Sequence, residues 1–141
     1  MEKLIQIYIE KLKDLGLKAT PQRISILKYL DGNQSHPTVD DIYQNLLKDY
    51  PSISLATVYN TVQSLVNSGQ LSELSIQKGK NNYDPDISQH IHSYCTECGL
   101  ISDVFNDTDK TPYLLDDGFQ IHTIQKVYYG ICADCAKRRA F

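Results

Sequence analysis

Nowhere does the chain hold an apolar run near the roughly 18 residues that a membrane-spanning helix needs. Its first 17 residues interleave Lys and Glu with apolar positions, which is not the pattern of a signal peptide, so a cytoplasmic protein with no membrane partner is expected. No low-complexity tract is present, and no repeat beyond two short cysteine pairs. Net charge is also small, at −3, and on its face that argues against nucleic acid. The regional split alters the reading. Residues 1–83 carry 9 Lys and Arg against 8 Asp and Glu, whereas residues 84–141 carry 5 against 9. The acidity lies in the second half, where a cation site would use it, and a DNA face has to be a local patch in the first half.

With 41% hydrophobic and 22% charged residues over 141 positions, the chain reads as globular, one ordinary domain or two small ones. Leu4, Ile7, Tyr8, Leu12 and Leu15 recur at helical spacing, and Gly16 suits the left-handed end. Thr20-Pro21 is a helix start, with Ile24, Leu27 and Leu30 as its stripe and 31–33 as its end. Thr38 caps a third helix and Asp41 completes a near capping box; Val39, Ile42, Tyr43, Leu46 and Leu47 face inward until Pro51. Ser54 caps a fourth helix with Leu55, Val58, Val62, Leu65 and Val66 as its apolar face, stopped by Gly69. A strand over 71–76, a polar turn over 77–81 and a short return at 82–83 follow. Helices and then a hairpin describe a winged helix-turn-helix. Beyond a hinge at Pro85 and Ser88 the pattern predicts strands over 89–95, 100–105 and 119–129, a helix over 108–117 interrupted by Pro112, and a short helix over 133–140.

The four cysteines form two pairs of matched spacing, Cys95/Cys98 and Cys132/Cys135. Two intervening residues let both thiolates of a pair reach one ion, and Gly99 relaxes the first turn. Four thiolates at about 2.3 Å suit tetrahedral Zn(II) and leave no open position, so the site is structural and has no catalytic residue. Without an export signal, disulfides are disfavoured.

Of four histidines, two stand together in His90-Ile91-His92. On a strand, residues two apart face the same side. Asp84 lies upstream, Asp103 on the next strand, and His36 between the second and third helices. Nitrogen and oxygen donors without sulfur suit Fe(II) or Mn(II) and tolerate Zn(II). If His36, Asp84, His90, His92 and Asp103 meet, metal clamps the two domains in one orientation. Spacing alone leaves ordinary surface residues open as the alternative.

The fourth helix offers Ser54, Thr57, Tyr59, Asn60, Thr61, Gln63 and Ser64, groups able to meet base edges and phosphates in a major groove. Lys18 and Arg23 flank the second helix's start, and Lys78 and Lys80 sit at the hairpin tip, where a wing meets the DNA backbone. A polar face in water is the competing reading.

Five segments together resemble the ferric uptake regulator (Fur) family of bacterial repressors, over nearly the whole chain. They are residues 17–23 (LKATPQR), 36–38 (HPT), 53–59 (ISLATVY), 90–99 (HIHxxCxxCG) and 129–135 (YGICxxC). The ligand positions are most similar to the peroxide-sensing PerR branch, whose His, Asp, His, His, Asp set falls on His36, Asp84, His90, His92 and Asp103. Iron-sensing members usually carry Glu in place of the two aspartates. Their second site falls here on Gln89, Ile91, Lys110 and Ile124, which cannot hold a metal. The resemblance implies that Mn(II) or Fe(II) closes a homodimer onto double-stranded, palindromic operator DNA. It also implies that peroxide oxidises His36 or His90 when Fe(II) is bound, with loss of repression and with peroxide as the one small-molecule substrate. Peroxide sensors tend to carry Arg where Gln63 stands. The expected fold class is then α+β: a winged helix-turn-helix DNA-binding domain over 1–84, followed by a small α/β dimerisation domain over 85–141 with the structural zinc.

Three alternatives remain. One is a repressor of the same family that reads iron, manganese or zinc level without peroxide chemistry. A second is a zinc enzyme, which needs an open coordination position with a carboxylate beside it, whereas His90-Ile-His92 lacks the Glu of deaminase signatures. A third is a zinc-stapled interaction module, which has no use for the helix-turn-helix. The expectation is that the protein is not an enzyme.

Overall fold

A computed structural model describes residues 1–88, 90–105, 118–121 and 124–140. The chain divides into two compact units, Met1–Ile87 and Ser88–Phe141. The division falls three residues beyond position 84, so the Pro85 turn belongs to the first unit.

Unit 1 runs α1 (Glu2–Asp14), α2 (Pro21–Leu30), α3 (Val39–Leu47), α4 (Leu55–Asn67) and then the hairpin β1 (Ser72–Gln77) and β2 (Lys80–Asp84). The starts of α2, α3 and α4 are written locally. The Thr20 side chain accepts from Arg23 N–H, and Thr38 and Asp41 form a reciprocal capping box. Ser54 accepts from Thr57 N–H. Each cap satisfies an amide that the helix itself leaves unbonded. The core gathers Tyr8, Leu12, Ile26, Leu27, Leu30, Ile42, Leu46, Ile53, Val58, Val62, Leu65, Leu71 and Tyr83. Burying each such aliphatic side chain contributes roughly 1.5–3 kcal/mol. The hairpin turn is Lys78-Gly79 alone, so β2 starts at Lys80, earlier than the expected strand at 82–83. Gly79 holds φ +86, a conformation glycine adopts without strain.

Three apolar expectations in unit 1 are corrected. Leu4 and Ile7 face outward on α1, where Tyr8 and Leu12 are buried. Leu55 is 50% exposed: it is the first residue of α4, before the helix meets its neighbours. Ile26, absent from the expected stripe, is fully buried.

Unit 2 holds a three-stranded sheet of order β4-β3-β5, with β3 (Ile91–Cys95), β4 (Ile101–Val104) and β5 (Val127–Gly130), followed by α5 (Ala133–Arg139). β3 pairs antiparallel with β4 and parallel with β5. The strand expected over 119–129 is shorter: 118–121 and 124–126 are not in a strand, and pairing begins at Val127 opposite His92. The helix expected over 108–117 and the positions Gln89 and Lys110 lie outside the described residues. Among the described residues, no helix is long and apolar enough to cross a membrane.

Candidate metal centres and nucleic-acid face

The cysteine centre is assembled wholly within unit 2. Cys95 ends β3, Cys98 follows in the turn, Cys132 caps α5 and Cys135 lies one turn inside it. Backbone bonds shape the first turn: Cys95 N–H donates to Leu100 O at 2.9 Å and Gly99 N–H to Cys95 O at 2.9 Å. Gly99 takes φ +78, which a side chain would strain. Thr96 N–H donates to Gly130 O at 2.8 Å, which ties the first pair to the segment that leads into the second. All four sulfurs lie within 4.8 Å of one another. Bonds of about 2.3 Å in a tetrahedron set sulfurs about 3.8 Å apart. The Cys98 and Cys132 sulfurs are 3.8 Å apart.

The thiols are electrostatically unequal. Backbone N–H groups of Cys132 and Cys98 point at the Cys95 sulfur and pull its pKa down to about 6. The Cys132 side chain and burial push Cys135 up to about 12. Four thiolates this close repel one another, and a dication removes that conflict, so the donor set fits zinc.

Each unit contributes nitrogen and oxygen donors. In unit 1, His36 Nε2 is 3.5 Å from Asp84 Oδ2, with both side chains 2% exposed. The other Asp84 oxygen accepts from Asp86 N–H at 2.9 Å. His36 has φ +53, a left-handed conformation uncommon for a residue that is not glycine. The hairpin holds it there: Asn82 Nδ2 donates to His36 O at 2.8 Å and Tyr83 N–H to Pro37 O at 2.9 Å. Asn82 is a site residue that no sequence pattern announces, because its partner lies 46 positions away.

In unit 2, the register that sets His92 opposite Asp103 brings the donors together. Asp103 Oδ1 is 3.3 Å from His92 Nε2 and 3.4 Å from His90 Nε2, and the two Nε2 atoms are 3.1 Å apart. His90 Nδ1 is 2.7 Å from Ser88 O. A carbonyl only accepts, so Nδ1 carries the proton and Nε2 offers its lone pair to an ion.

On α4, Tyr59 is 52% exposed and Asn60 is exposed beside it. Ser54 and Thr57 engage each other through the cap, their hydroxyl oxygens 2.8 Å apart. Thr61, expected on the outer face, is buried and donates to Thr57 O at 2.8 Å. Gln63 is half-buried and its Nε2 donates to Glu73 Oε2 at 2.8 Å, on the hairpin. Lys18, Lys78 and Lys80 are exposed, whereas Arg23 is half-buried and donates from Nη1 to Lys18 O at 3.0 Å.

Comparison with known proteins agrees across sequence and structure. The chain is 37% identical over 133 residues to the peroxide operon regulator of Bacillus subtilis (strain 168), covering 92% of each. The structure of the Campylobacter jejuni peroxide stress regulator matches with TM-score 0.61 at 29% identity, over 94% of this chain and 98% of that one. The Helicobacter pylori ferric uptake regulator Fur, whose structure is described as revealing three functional metal binding sites, shares the fold with TM-score 0.71 at 18% identity, over 96% of this chain and 93% of that one. The model of the ferric uptake regulator family matches residues 14–129, and the chain belongs to that family.

Proposed function

We propose that this protein is a metal-dependent, peroxide-responsive transcriptional repressor that binds palindromic operator DNA as a homodimer. The observation that carries the reading is the sulfur-free cluster of unit 2, where His90, His92 and Asp103 hold their donor atoms within 3.4 Å of one another. Such donors suit Fe(II) or Mn(II). His36 and Asp84 offer a further nitrogen and oxygen from unit 1, and we assign all five to one regulatory site. An ion that draws ligands from both units favours one arrangement of them, and only as far as it prefers that arrangement. The cysteine centre holds Zn(II) as a staple and takes no part in the switch.

Similarity to peroxide regulators supports the chemistry. Held by these five residues, Fe(II) would supply the redox chemistry that opens the peroxide O–O bond, with no net change in its own oxidation state. At the protein, a ring C–H bond of His36 or His90 becomes a C–O bond. One peroxide oxygen is retained, the other leaves as water, and two electrons pass from the ring to peroxide. The altered ring binds metal less well and repression ends. The event happens once per chain, so the protein is not an enzyme. A cytoplasmic location accords with this role.

Tyr59 and Asn60 are the best placed to read bases, with Ser54 and Thr57 at the same helix end. Lys18, Arg23, Lys78 and Lys80 serve phosphates, each adding to the salt dependence of binding. Gln63 reaches DNA only by releasing Glu73. Exposed Phe119, Ile121, Ile124, Tyr128, Tyr129 and Ile131 support unit 2 as the dimer face.

The test loads the protein anaerobically with Fe(II), adds one equivalent of hydrogen peroxide, and maps peptides containing His36 and His90 by mass. Binding to a palindrome selected from random DNA with the Mn(II) form is read in parallel. A gain of one oxygen, absent with Mn(II), together with loss of DNA binding is expected. Unchanged mass with binding intact sinks the peroxide mechanism and leaves a metal-level sensor of the same family.

A further inference from the structure

The antiparallel register of β3 and β4 sets Ile91 opposite Val104 and His92 opposite Asp103. His90 and Phe105 are the next positions outward from the Ile91–Val104 pair, just beyond the two strand ends. Directly opposed residues are the pairs whose side chains interact across a sheet. These two do: their ring centroids are 5.0 Å apart with the planes at 30°, within the range of offset aromatic stacking. Asp103 and Phe105 lie two apart along one strand direction, as His90 and His92 do along the other, so all four share a face.

Phe105 is 62% exposed, so core burial is a poor account of it. Its contact with the His90 ring is a better one. The Ser88 carbonyl fixes which His90 nitrogen carries the proton, and the His92 ring meets the His90 ring edge-on with centroids 4.6 Å apart. Phe105 packs against the His90 ring as well and adds to the resistance against its rotation. We infer that Phe105 is a positioning residue for His90, holding Nε2 toward the point where His92 Nε2 and Asp103 Oδ1 converge. A ligand held in place loses less freedom on binding, so the regulatory ion binds more tightly and the His90 ring stays where peroxide chemistry reaches it. His36 has a different support, its own backbone and Asn82, so the two oxidation candidates are separable. This inference rests on the regulatory-site reading above.

The test is a mutant cycle on the full zinc-containing chain, with free Mn(II) followed by electron paramagnetic resonance. Phe105→Ala is expected to weaken Mn(II) binding roughly three- to tenfold, the scale of a lost aromatic pair. Phe105→Tyr is expected to keep wild-type affinity. In a His90→Asn background, Phe105→Ala is expected to add nothing, because the ring it positions is gone. Zinc content serves as the folding control. In Fe(II)-loaded protein given peroxide, Phe105→Ala is expected to lower the share of added oxygen on the His90 peptide relative to the His36 peptide. Unchanged Mn(II) affinity in Phe105→Ala, or the same loss with and without His90, overturns the inference. Wild-type protein that gains no oxygen defeats the peroxide reading alone, and the Mn(II) cycle still decides the role of Phe105. Wild-type protein that binds no Mn(II) overturns the site and this inference together.

Discussion

Unit 1 encloses Leu12, Ile26, Ile42, Val58 and Val62 completely, whereas the buried residues described in unit 2 are His92, Cys95 and Cys135. The first unit has the aliphatic core expected of a helical domain. Among its described residues, the second buries candidate metal donors instead. Domains this small rarely hold together by apolar burial alone, and a bound ion is one common remedy. The contrast teaches that metal has two different meanings here. On the reading proposed above, metal at the cysteines stands in for apolar burial, and metal at the histidines and aspartates acts on a protein already folded.

Removing zinc with a chelator under reducing conditions, or Cys135→Ser, tests this most severely. Structural zinc contributes about 10–16 kcal/mol in zinc-finger peptides. Hydrogen exchange in β3, β4 and β5 should rise to the unprotected rate while α2, α3 and α4 stay protected. Equal loss in both units breaks the comparison. The reverse experiment is Leu12→Ala, which leaves a cavity in the unit 1 core and should cost about 2–5 kcal/mol by denaturant titration, with zinc content unchanged. Asp103→Ala comes next. It should lower Mn(II) affinity by about 100-fold or more while zinc stoichiometry stays at one per chain. A fall in zinc content would show that the two centres are not separate.

Smaller effects sharpen the picture within unit 1. Ser54→Ala removes the α4 cap and should cost about 1 kcal/mol, read as a lower melting temperature. At high pH, Tyr8 and Tyr83 set the limit. Burial, with Asp31 beside Tyr8 and Glu73 beside Tyr83, pushes both phenols up to about 12. A folded pKa above the unfolded one means that the stabilisation is complete below about pH 10 and is lost as pH rises toward about 12. Ultraviolet titration should find these two phenols ionising together with unfolding, and Tyr83→Phe should remove one of them.

Legibility varied with the range of the interaction. Thr20, Thr38 with Asp41, and Ser54 were readable as caps because each cap and its amide lie three positions apart. The cysteine centre was readable because matched spacing carries its geometry. Leu55 and Thr61 depart from the periodic expectation because helical periodicity does not say where along its length a helix meets its neighbours. The strand over 119–129 was overextended because β-forming residues mark a tendency, whereas pairing with β3 marks the strand itself, and that begins at Val127. No sequence pattern marks Phe105, since its partner appears only once β3 and β4 are paired.

By itself the sequence determined the helices of unit 1, the caps of α2, α3 and α4, and the cysteine pairs, all of which depend on residues near one another along the chain. Only tertiary structure decided that Gln63 engages Glu73, that Asn82 holds His36 in its left-handed conformation, and that Phe105 stacks on His90. Those contacts depend on strand register and on packing across 10, 46 and 15 positions, distances over which a sequence pattern carries no geometry.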